Sequence, residues 1–237
     1  MPNSFFKFKQ FIIHQDQCAM KVCTDACLFG AIIANNKNKF NTALDIGTGT
    51  GLLSLMFAQK HLESKIEAVE IEEQTYYKAK SNIEQSDFSK NIQVHLTDIK
   101  YFLTEKQYDI IFSNPPFYTN DLKSPNDVKN IAHHSSLLSF EDLIKSVKNL
   151  LKTDGIFYVL LPFKVEDDFV ALSISNDFFT EKIIRIKQTH HHKYFRSIIS
   201  FTRTNKEVEV EEIIIKLNET AYSIEFKNLL NDYYLNL

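Results

Sequence analysis

The sequence predicts an α/β fold, namely a doubly wound, mostly parallel sheet with an antiparallel edge hairpin. Between residues 42 and 161, strand-like apolar runs alternate with helical patterns, which is typical of parallel βαβ units. Two strand-like runs within 182–202 are separated by only a short loop, and this favours an antiparallel pair. Three of the five glycines in the chain fall within five residues, directly after the first buried strand. Such clustering indicates a backbone that needs positive φ or close approach to a ligand.

The central elements follow one another without long gaps. We predict strands at 42–46, 65–70, 92–96, 108–112 and 156–161, and helices at 52–60, 73–85 and 140–151. Residues 152–155 predict a turn, with Gly155 at the end of the preceding helix. The runs 182–186 and 197–202 predict the edge hairpin.

The composition excludes several classes of protein. With 44% hydrophobic and 24% charged residues, the 237-residue chain is neither disordered nor of low complexity. The longest uncharged run, residues 46–59, has fourteen residues. A membrane-spanning helix needs about 18 or more, so no membrane association is expected. The first residues lack the pattern of a signal peptide. We therefore expect a cytoplasmic protein.

Cysteine and histidine residues do not predict a metal site. The spacing of Cys18, Cys23 and Cys27 matches neither a disulfide framework nor a zinc finger, so reduced thiols are expected. Three adjacent histidines at 190–192 have no carboxylate beside them. Adjacent loop residues do not converge easily on one ion. An exposed or RNA-facing loop is the favoured interpretation.

Charge is distributed unevenly along the chain. Residues 182–206 contain seven Lys or Arg residues and no Asp or Glu, whereas residues 207–237 contain seven acids against two lysines. A local basic segment can bind phosphates even on a chain whose net charge is −3. The candidates for phosphate contact are Lys187, Lys193, Arg196 and Arg203. A solvated charged edge is the alternative.

The glycine cluster predicts a cofactor loop. Asp45 is the penultimate residue of the first strand, and Gly47, Gly49 and Gly51 follow the strand immediately before a helix. Backbone amides at such a strand-to-helix junction can approach a ligand. Glu70 ends the next strand, where a carboxylate can accept hydrogen bonds from a ribose diol. The pattern favours a nucleoside-containing cofactor over a tight turn without a ligand.

A second motif, S-N-P-P-F at 113–117, directly follows the strand at 108–112. The carboxyl end of a central strand is the active-site edge of a doubly wound sheet. The Asn114 side-chain oxygen and the Pro115 carbonyl can accept hydrogen bonds, and the Phe117 ring can stack. Together they suit a planar group that bears an NH2, because two acceptors favour the cationic nitrogen that forms when the amine attacks. These three residues are the catalytic candidates.

The glycine motif resembles that of the class I S-adenosylmethionine (SAM)-dependent methyltransferases. The resemblance implies a Rossmann-like fold with seven strands, SAM as the cofactor, and a ribose contact for Glu70. It places Asp98 and Ile99, after the third strand, near the adenine of SAM. Asp98 could instead cap a helix. N-P-P-[FY] is similar to the motif of enzymes that methylate adenine N6, guanine N2 or glutamine N5.

Segments near both ends of the chain resemble one family more closely, the bacterial tRNA1(Val) adenine-N6 methyltransferases. They are F-K-F-K-Q-F at 6–11, A-M-K-V-C-T-D-A at 19–26, L-F-G-A at 28–31, Y-S-I-E-F at 222–226 and D-Y-Y-L at 232–235. This resemblance covers essentially the full length. It implies SAM-dependent methylation of the N6 amine of the adenosine 3′ to the anticodon in tRNA1(Val). Cys23 departs from the family, which usually has glycine there, and would be strained at positive φ.

The resemblance also assigns further contacts. Lys21, Thr24 and Asp25 would cover the cofactor pocket, although Thr24 or Asp25 could simply cap a helix. From the residues themselves, Phe117 and Tyr118 are the candidates for stacking on the target base, and His133, which follows the N-P-P-F loop, is a candidate for the wall of its pocket. The four phosphate candidates, of which Arg196 is favoured because the family tends to carry arginine there, would bind the RNA backbone.

The expected organisation is one domain in three parts. Residues 41–206 form the methyltransferase core, residues 1–40 an extension over the cofactor site, and residues 207–237 a second extension of the same domain. A monomer is favoured. Three alternatives stay open, namely a glutamine-N5 methyltransferase acting on a protein, a guanine-N2 methyltransferase acting on ribosomal RNA, and a non-catalytic RNA-binding module.

Overall fold

The computed structural model describes residues 4–16, 21–116 and 138–237. Its strands are β1 (Phe5–Lys7), β2 (Ile12–His14), β3 (Thr42–Ile46), β4 (Lys65–Glu70), β5 (Ile92–Leu96), β6 (Tyr108–Ser113), β7 (Leu151–Pro162), β8 (Phe179–Lys187), β9 (Tyr194–Thr202) and β10 (Glu209–Ile214). Its helices are α1 (Thr24–Ala34), α2 (Leu52–Lys60), α3 (Glu73–Glu84), α4 (Phe140–Leu150), α5 (Glu166–Ile174) and α6 (Ile224–Leu230). None of the helices in this part of the chain has the length and apolar character needed to cross a membrane.

Eight of the strands form one sheet in the order β10-β8-β9-β7-β6-β3-β4-β5. Strand β9 alone runs against the other seven, and β1 and β2 form a separate small hairpin. The predicted doubly wound, mostly parallel sheet is confirmed, as is the antiparallel pairing of β8 with β9. The sheet has one strand more than the seven expected. The hairpin is not the edge, because β10 pairs in parallel with β8 outside it.

The turn predicted at 152–155 is wrong. Strand β7 begins at Leu151, directly after α4, so these residues lie inside a strand. The register between β6 and β7 shifts at this point. A Cβ on Gly155 would lie 2.7 Å from Leu151 Cδ1. Glycine is therefore required here for space between packed groups, not for a helix-ending conformation.

The uneven charge along the chain is explained by the pairing of β10 with β8. Lys182 lies 2.6 Å from Glu211, and Lys187 lies 2.7 Å from Glu212 across this strand pair. The basic and acidic segments are therefore partners in one sheet, and each neutralises much of the other. The sequence does not reveal this pairing, because the distribution of charge along the chain does not show which strands are neighbours in the sheet.

Two layers of helices cover the sheet. The core on one face includes Phe29 from α1 and Phe57 from α2, and the core on the other includes Leu143 from α4 and Phe169 from α5, all fully buried. Both faces of the central strands are thus apolar, as a parallel sheet between helix layers requires.

Residues near both ends of the chain converge on α2. The backbone N–H of Lys9 donates to the carbonyl of Tyr233 over 2.8 Å, and the Tyr233 hydroxyl donates to the carbonyl of Met56 over 3.1 Å. Tyr233 is fully buried. The helix that follows the glycine loop is therefore held by residues more than 170 positions away in sequence.

Asn82 of α3 joins the β1–β2 hairpin to the glycine loop. Its side-chain oxygen accepts from the backbone N–H of His14 over 3.0 Å. Its amide nitrogen donates to the carbonyls of His14 and Thr50, over 3.0 and 2.9 Å. The side chain is only 1% exposed, so water does not compete readily for these bonds. One asparagine thereby sets the position of the hairpin against the loop.

We expect Asn82→Ala to lower the free energy of unfolding by about 2–4 kcal/mol, because it leaves buried donors and acceptors without partners. Urea unfolding measures this loss. Asn38→Ala replaces an exposed asparagine and should change stability by less than about 0.5 kcal/mol. A loss below 1 kcal/mol for Asn82→Ala would show that the hairpin does not depend on this side chain.

Candidate active site

Two loops leave the sheet side by side at the carboxyl ends of β3 and β6. These strands are hydrogen-bonded neighbours, and Ile46 pairs with Ser113 at the last position of each. The buried Ser113 hydroxyl donates to the carbonyl of Ile46 over 2.8 Å. The loop after β3 begins with Gly47, and the loop after β6 begins with Asn114. The two predicted motifs are therefore adjacent in space, although 67 residues separate them in sequence.

The glycine loop adopts a conformation that other residues rarely accept. Gly47, Gly49 and Gly51 have φ values of +72°, +58° and +83°. A Cβ on Gly47 or Gly49 would have no atom within 4 Å, whereas one on Gly51 would contact Ile83 at 3.3 Å. The first two glycines thus border open space, where a ligand can approach the backbone. The third combines the turn with close packing against α3.

Asp45 is buried beneath this loop. Its Oδ2 accepts from the Thr48 and Ser54 hydroxyls, each over 2.7 Å. Its Oδ1 is buried without a hydrogen-bond partner among the described residues. Burial raises the pKa of Asp45 to about 6, although the two hydroxyl bonds oppose the shift, and the nearby Glu70 carboxylate adds to it. An unpaired buried carboxylate oxygen is suited to a cationic or hydrogen-bond-donating ligand.

Glu70 lies beside the glycine loop at the end of β4. One carboxylate oxygen accepts from the backbone N–H of Gly49 over 2.9 Å, and the other accepts from those of Ile71 and Glu72 over 2.9 and 3.0 Å. A carboxylate offers about four acceptor positions, so one remains for a ligand hydroxyl. The open glycine backbone, this carboxylate and the unpaired Asp45 oxygen together fit a ligand that combines a ribose with an amino group.

Asp98 and Ile99 follow the carboxyl end of β5, at the same edge of the sheet as the glycine loop. Asp98 caps a single 3-10 turn at Ile99–Tyr101, because its carboxylate accepts from the Lys100 N–H over 3.0 Å. The same carboxylate lies 3.3 Å from the Lys100 ammonium. The capping alternative is therefore confirmed for Asp98. A contact of Asp98 or Ile99 with the adenine of SAM stays a prediction.

The acceptor loop presents Asn114 with its side-chain oxygen unsatisfied. Asn114 Oδ1 is buried and has no hydrogen-bond partner among the residues described. Pro115 beside it is buried, and Pro116 is exposed. Three other predicted site residues, Phe117, Tyr118 and His133, lie outside the described residues.

The start of α1 differs from the expectation. Cys23 is the residue before the helix, and its φ of −125° is an extended conformation that strains no side chain. Its side chain makes no capping hydrogen bond, and the helix begins at Thr24. The alternative that Thr24 or Asp25 is the cap is therefore wrong. Lys21 is exposed ahead of them.

Asp25 has a different partner. Its carboxylate accepts from Arg196 Nε of β9 over 2.8 Å, and the side chains are 11% and 29% exposed. This pair joins α1 to the sheet at the carboxyl edge. It unites a residue predicted for the cofactor cover with one predicted for RNA contact. No local signal in the sequence links positions 25 and 196.

Comparison with known proteins identifies the family. The model of the methyltransferase small domain matches residues 26–166, more than half of the chain. A protein of Dyadobacter fermentans is 40% identical over 98% of both chains, and one of Phocaeicola vulgatus is 37% identical over the full length of both. Each is named tRNA1(Val) (adenine(37)-N6)-methyltransferase. The chain belongs to this methyltransferase family.

Solved structures show the same fold. The methyltransferase subunit of a type I restriction–modification system from Streptococcus thermophilus superposes with a TM-score of 0.64 at 15% identity, over 90% of this chain and 53% of that one. The ribosomal protein L11 methylase of Lactobacillus delbrueckii gives 0.59 at 15% identity, over 81% and 84%. The chain therefore has the fold of class I methyltransferases.

The four basic residues predicted to bind RNA do not all lie at the active-site edge. Lys187, Lys193 and Arg196 lie at the ends of β8 and β9 that adjoin the carboxyl end of β7. Lys187 is paired with Glu212. Arg203 lies at the opposite edge. It donates to the carbonyl of Lys148 at the end of α4 over 2.6 Å, which is a structural contact.

Two polar groups of the site were not predicted. Ser54 holds the Asp45 carboxylate, and Ser113 joins the two loops. Ser54 occupies the first turn of α2, one turn after the glycines, and that position is its only signal in the sequence. Ser113 is the first residue of the S-N-P-P-F motif, and the motif itself assigns it no role.

The raised pKa of Asp45 gives a pH-dependent stability. The native carboxyl keeps its proton up to a pH of about 6, whereas the unfolded chain releases it near its ordinary value of about 4. Between these values the native state binds more protons, so raising the pH favours unfolding. We expect wild type to lose stability relative to Asp45→Asn as the pH rises from about 4 to about 6. Urea unfolding at several pH values measures this, with exposed Asp154→Asn as the control. A difference independent of pH would contradict it.

Proposed function

We propose that the protein transfers the methyl group of SAM to the N6 amine of the adenosine 3′ to the anticodon of tRNA1(Val). The observation that carries the proposal is the buried Oδ1 of Asn114 at the carboxyl end of β6, which has no hydrogen-bond partner among the described residues. The name shared by the relatives supports this substrate, because they are similar over nearly the whole chain and not only in the core.

Asn114 and Pro115 suit the chemistry of an exocyclic amine. The lone pair of such an amine is delocalised into the ring, so the nitrogen is a poor nucleophile. The Asn114 oxygen and the Pro115 carbonyl would each accept one N–H, which favours the tetrahedral, cationic nitrogen of the transition state. No described residue donates a hydrogen bond to the buried Asn114 oxygen, so the substrate amine can supply that bond.

The bond between Ser113 and Ile46 supports the geometry of transfer. When bound, SAM would supply a methyl group on a sulfonium. The amine nitrogen would bond to the methyl carbon in line with the C–S bond, the neutral thioether would be the leaving group, and the cationic nitrogen would then lose a proton to solvent. Because the glycine loop and the acceptor loop leave paired positions of β3 and β6, their separation is fixed by the sheet. Proximity and orientation can supply much of the acceleration. Asp45, Gly47, Gly49, Gly51 and Glu70 would hold the cofactor.

The partner we propose is the valine tRNA, acted on in the cytoplasm by a monomer without a metal. A base within an anticodon loop must leave its stack before it reaches an acceptor site. We further propose that residues 1–40 cover the cofactor site and that residues 207–237 extend the same domain. The contact between Asp25 and Arg196 supports the first assignment, because it holds the start of α1 at the carboxyl edge.

Transfer of labelled methyl from SAM to unmodified valine tRNA, followed by nucleoside analysis, tests the proposal. We expect N6-methyladenosine next to the anticodon. Asn114→Ala should retain SAM binding and reduce kcat by about 100-fold or more, because one acceptor of the transition state is lost. Asn38→Ala, at the opposite edge of the sheet, is the matched control.

Transfer to a protein glutamine or to guanine N2 in ribosomal RNA, with none to valine tRNA, would overturn the substrate assignment. Unchanged kcat in Asn114→Ala would overturn the role of its side chain. SAM binding without transfer to any of these substrates would leave only the non-catalytic alternative.

A further inference from the structure

The turn between β8 and β9 is highly exposed at the active-site edge. We call residues 189–193 the histidine turn, because His190, His191 and His192 lie within it, followed by Lys193. All four side chains are exposed. The turn is shaped by its own contacts, since the His192 N–H donates to the carbonyl of Thr189 over 3.1 Å.

Most other basic side chains of the segment 182–206 already have partners. Lys182 and Lys187 pair with acids of β10, Arg185 pairs with the buried Glu166, and Arg196 pairs with Asp25. At the far edge, Arg203 donates to helix carbonyls and Lys206 lies 3.5 Å from Glu181. Lys193 has no ion pair with the described residues. The positive charge that can meet a new anion is therefore concentrated in the histidine turn.

An aromatic pair adjoins the histidine turn. The rings of Phe163 and Tyr194 lie 5.1 Å apart, and both are half-buried. The Arg185 guanidinium lies 5.7 and 6.0 Å from the two ring centres, and the Lys187 ammonium lies 4.4 Å from that of Tyr194. Aromatic rings beside cations are a surface that nucleic acids can contact by stacking and by charge.

Acidic side chains lie beside the histidine turn but do not cover it. From β10, Glu212 faces His190 and is held by Lys187 and the Tyr194 hydroxyl. These two contacts hold the pKa of Glu212 below its usual range, so it stays ionised.

Two neighbouring elements set the boundaries. The loop after β10 adjoins the turn through the Lys216 N–H, which donates to the Gln188 carbonyl over 2.9 Å, and this loop carries Glu219. Asp167 and Asp168, exposed in the first turn of α5, bound the surface on the other side. Among the described basic residues of the segment 182–206, Lys193 is thus the one with neither an ion pair nor a side-chain hydrogen bond to a described residue.

We propose that the histidine turn binds backbone phosphates of the tRNA substrate outside the target nucleotide. This inference rests on the proposed function. The turn and Asn114 lie at the same edge of the sheet, so an RNA whose base enters the acceptor site passes near the turn.

RNA binding and methyl transfer, measured separately, test the inference. Valine tRNA is the probe for the dissociation constant at several salt concentrations. We expect Lys193→Gln to reduce the salt slope of binding by about one unit and to raise KM for tRNA several-fold, with kcat and SAM affinity unchanged. We expect the triple change H190A, H191A and H192A to raise the dissociation constant several-fold, because the ring N–H donors of the turn are lost.

Lys37→Gln is the matched control, since Lys37 is an exposed lysine between α1 and β3 at the opposite edge. It should leave the slope and KM as they are in wild type. A salt slope and a dissociation constant equal to those of wild type in both turn variants would overturn the inference. If wild type binds RNA but does not methylate it, the proposed function fails, and the binding comparison still decides the role of the turn.

Discussion

The hydrogen-bonded pairing of β3 with β6 is the constraint on which the active site depends. These strands are distant in sequence, yet Ile46 and Ser113 end them at the same level, and the buried Ser113 hydroxyl closes the junction. A loop follows each strand. The loop after β3 is rich in glycine and exposes its backbone, whereas the loop after β6 is stiffened by two prolines and exposes a hydrogen-bond acceptor. The sheet thereby fixes the relation between cofactor and substrate before either is bound.

Each of the two strand-to-loop junctions has a buried oxygen that the described part of the protein leaves unpaired. Asp45 Oδ1 and Asn114 Oδ1 each forgo a hydrogen bond that folding usually supplies. Such groups cost stability in the free protein, because their desolvation is not compensated. The cost is understandable at a binding site, where the ligand completes the hydrogen bonding. It also means that the site does not need to rearrange its own polar contacts when the ligands enter.

The sequence was informative wherever the structure is local. The alternation of strands and helices, the glycine loop and the position of Asn114 all follow from patterns of a few residues to a few tens of residues. The parallel pairing of β10 with β8 was missed, because it depends on which segments meet in space. The same reason explains Arg203, which looked like part of one basic segment but lies at the far edge and holds the end of α4. The prediction of a turn at Gly155 is wrong because glycine occurs at sites of close packing as well as in turns.

The contact of Tyr233 with both Lys9 and Met56 has a consequence for the synthesis of the protein. The helix that follows the cofactor loop is completed by a residue translated 177 positions after Met56. Until that residue has been made, the core strands can pair, but the apolar surface of α2 lacks part of its cover. Closing a contact over so many residues is slow compared with forming a local helix. The cofactor loop therefore gains its final support only after the strands of the core have been synthesised.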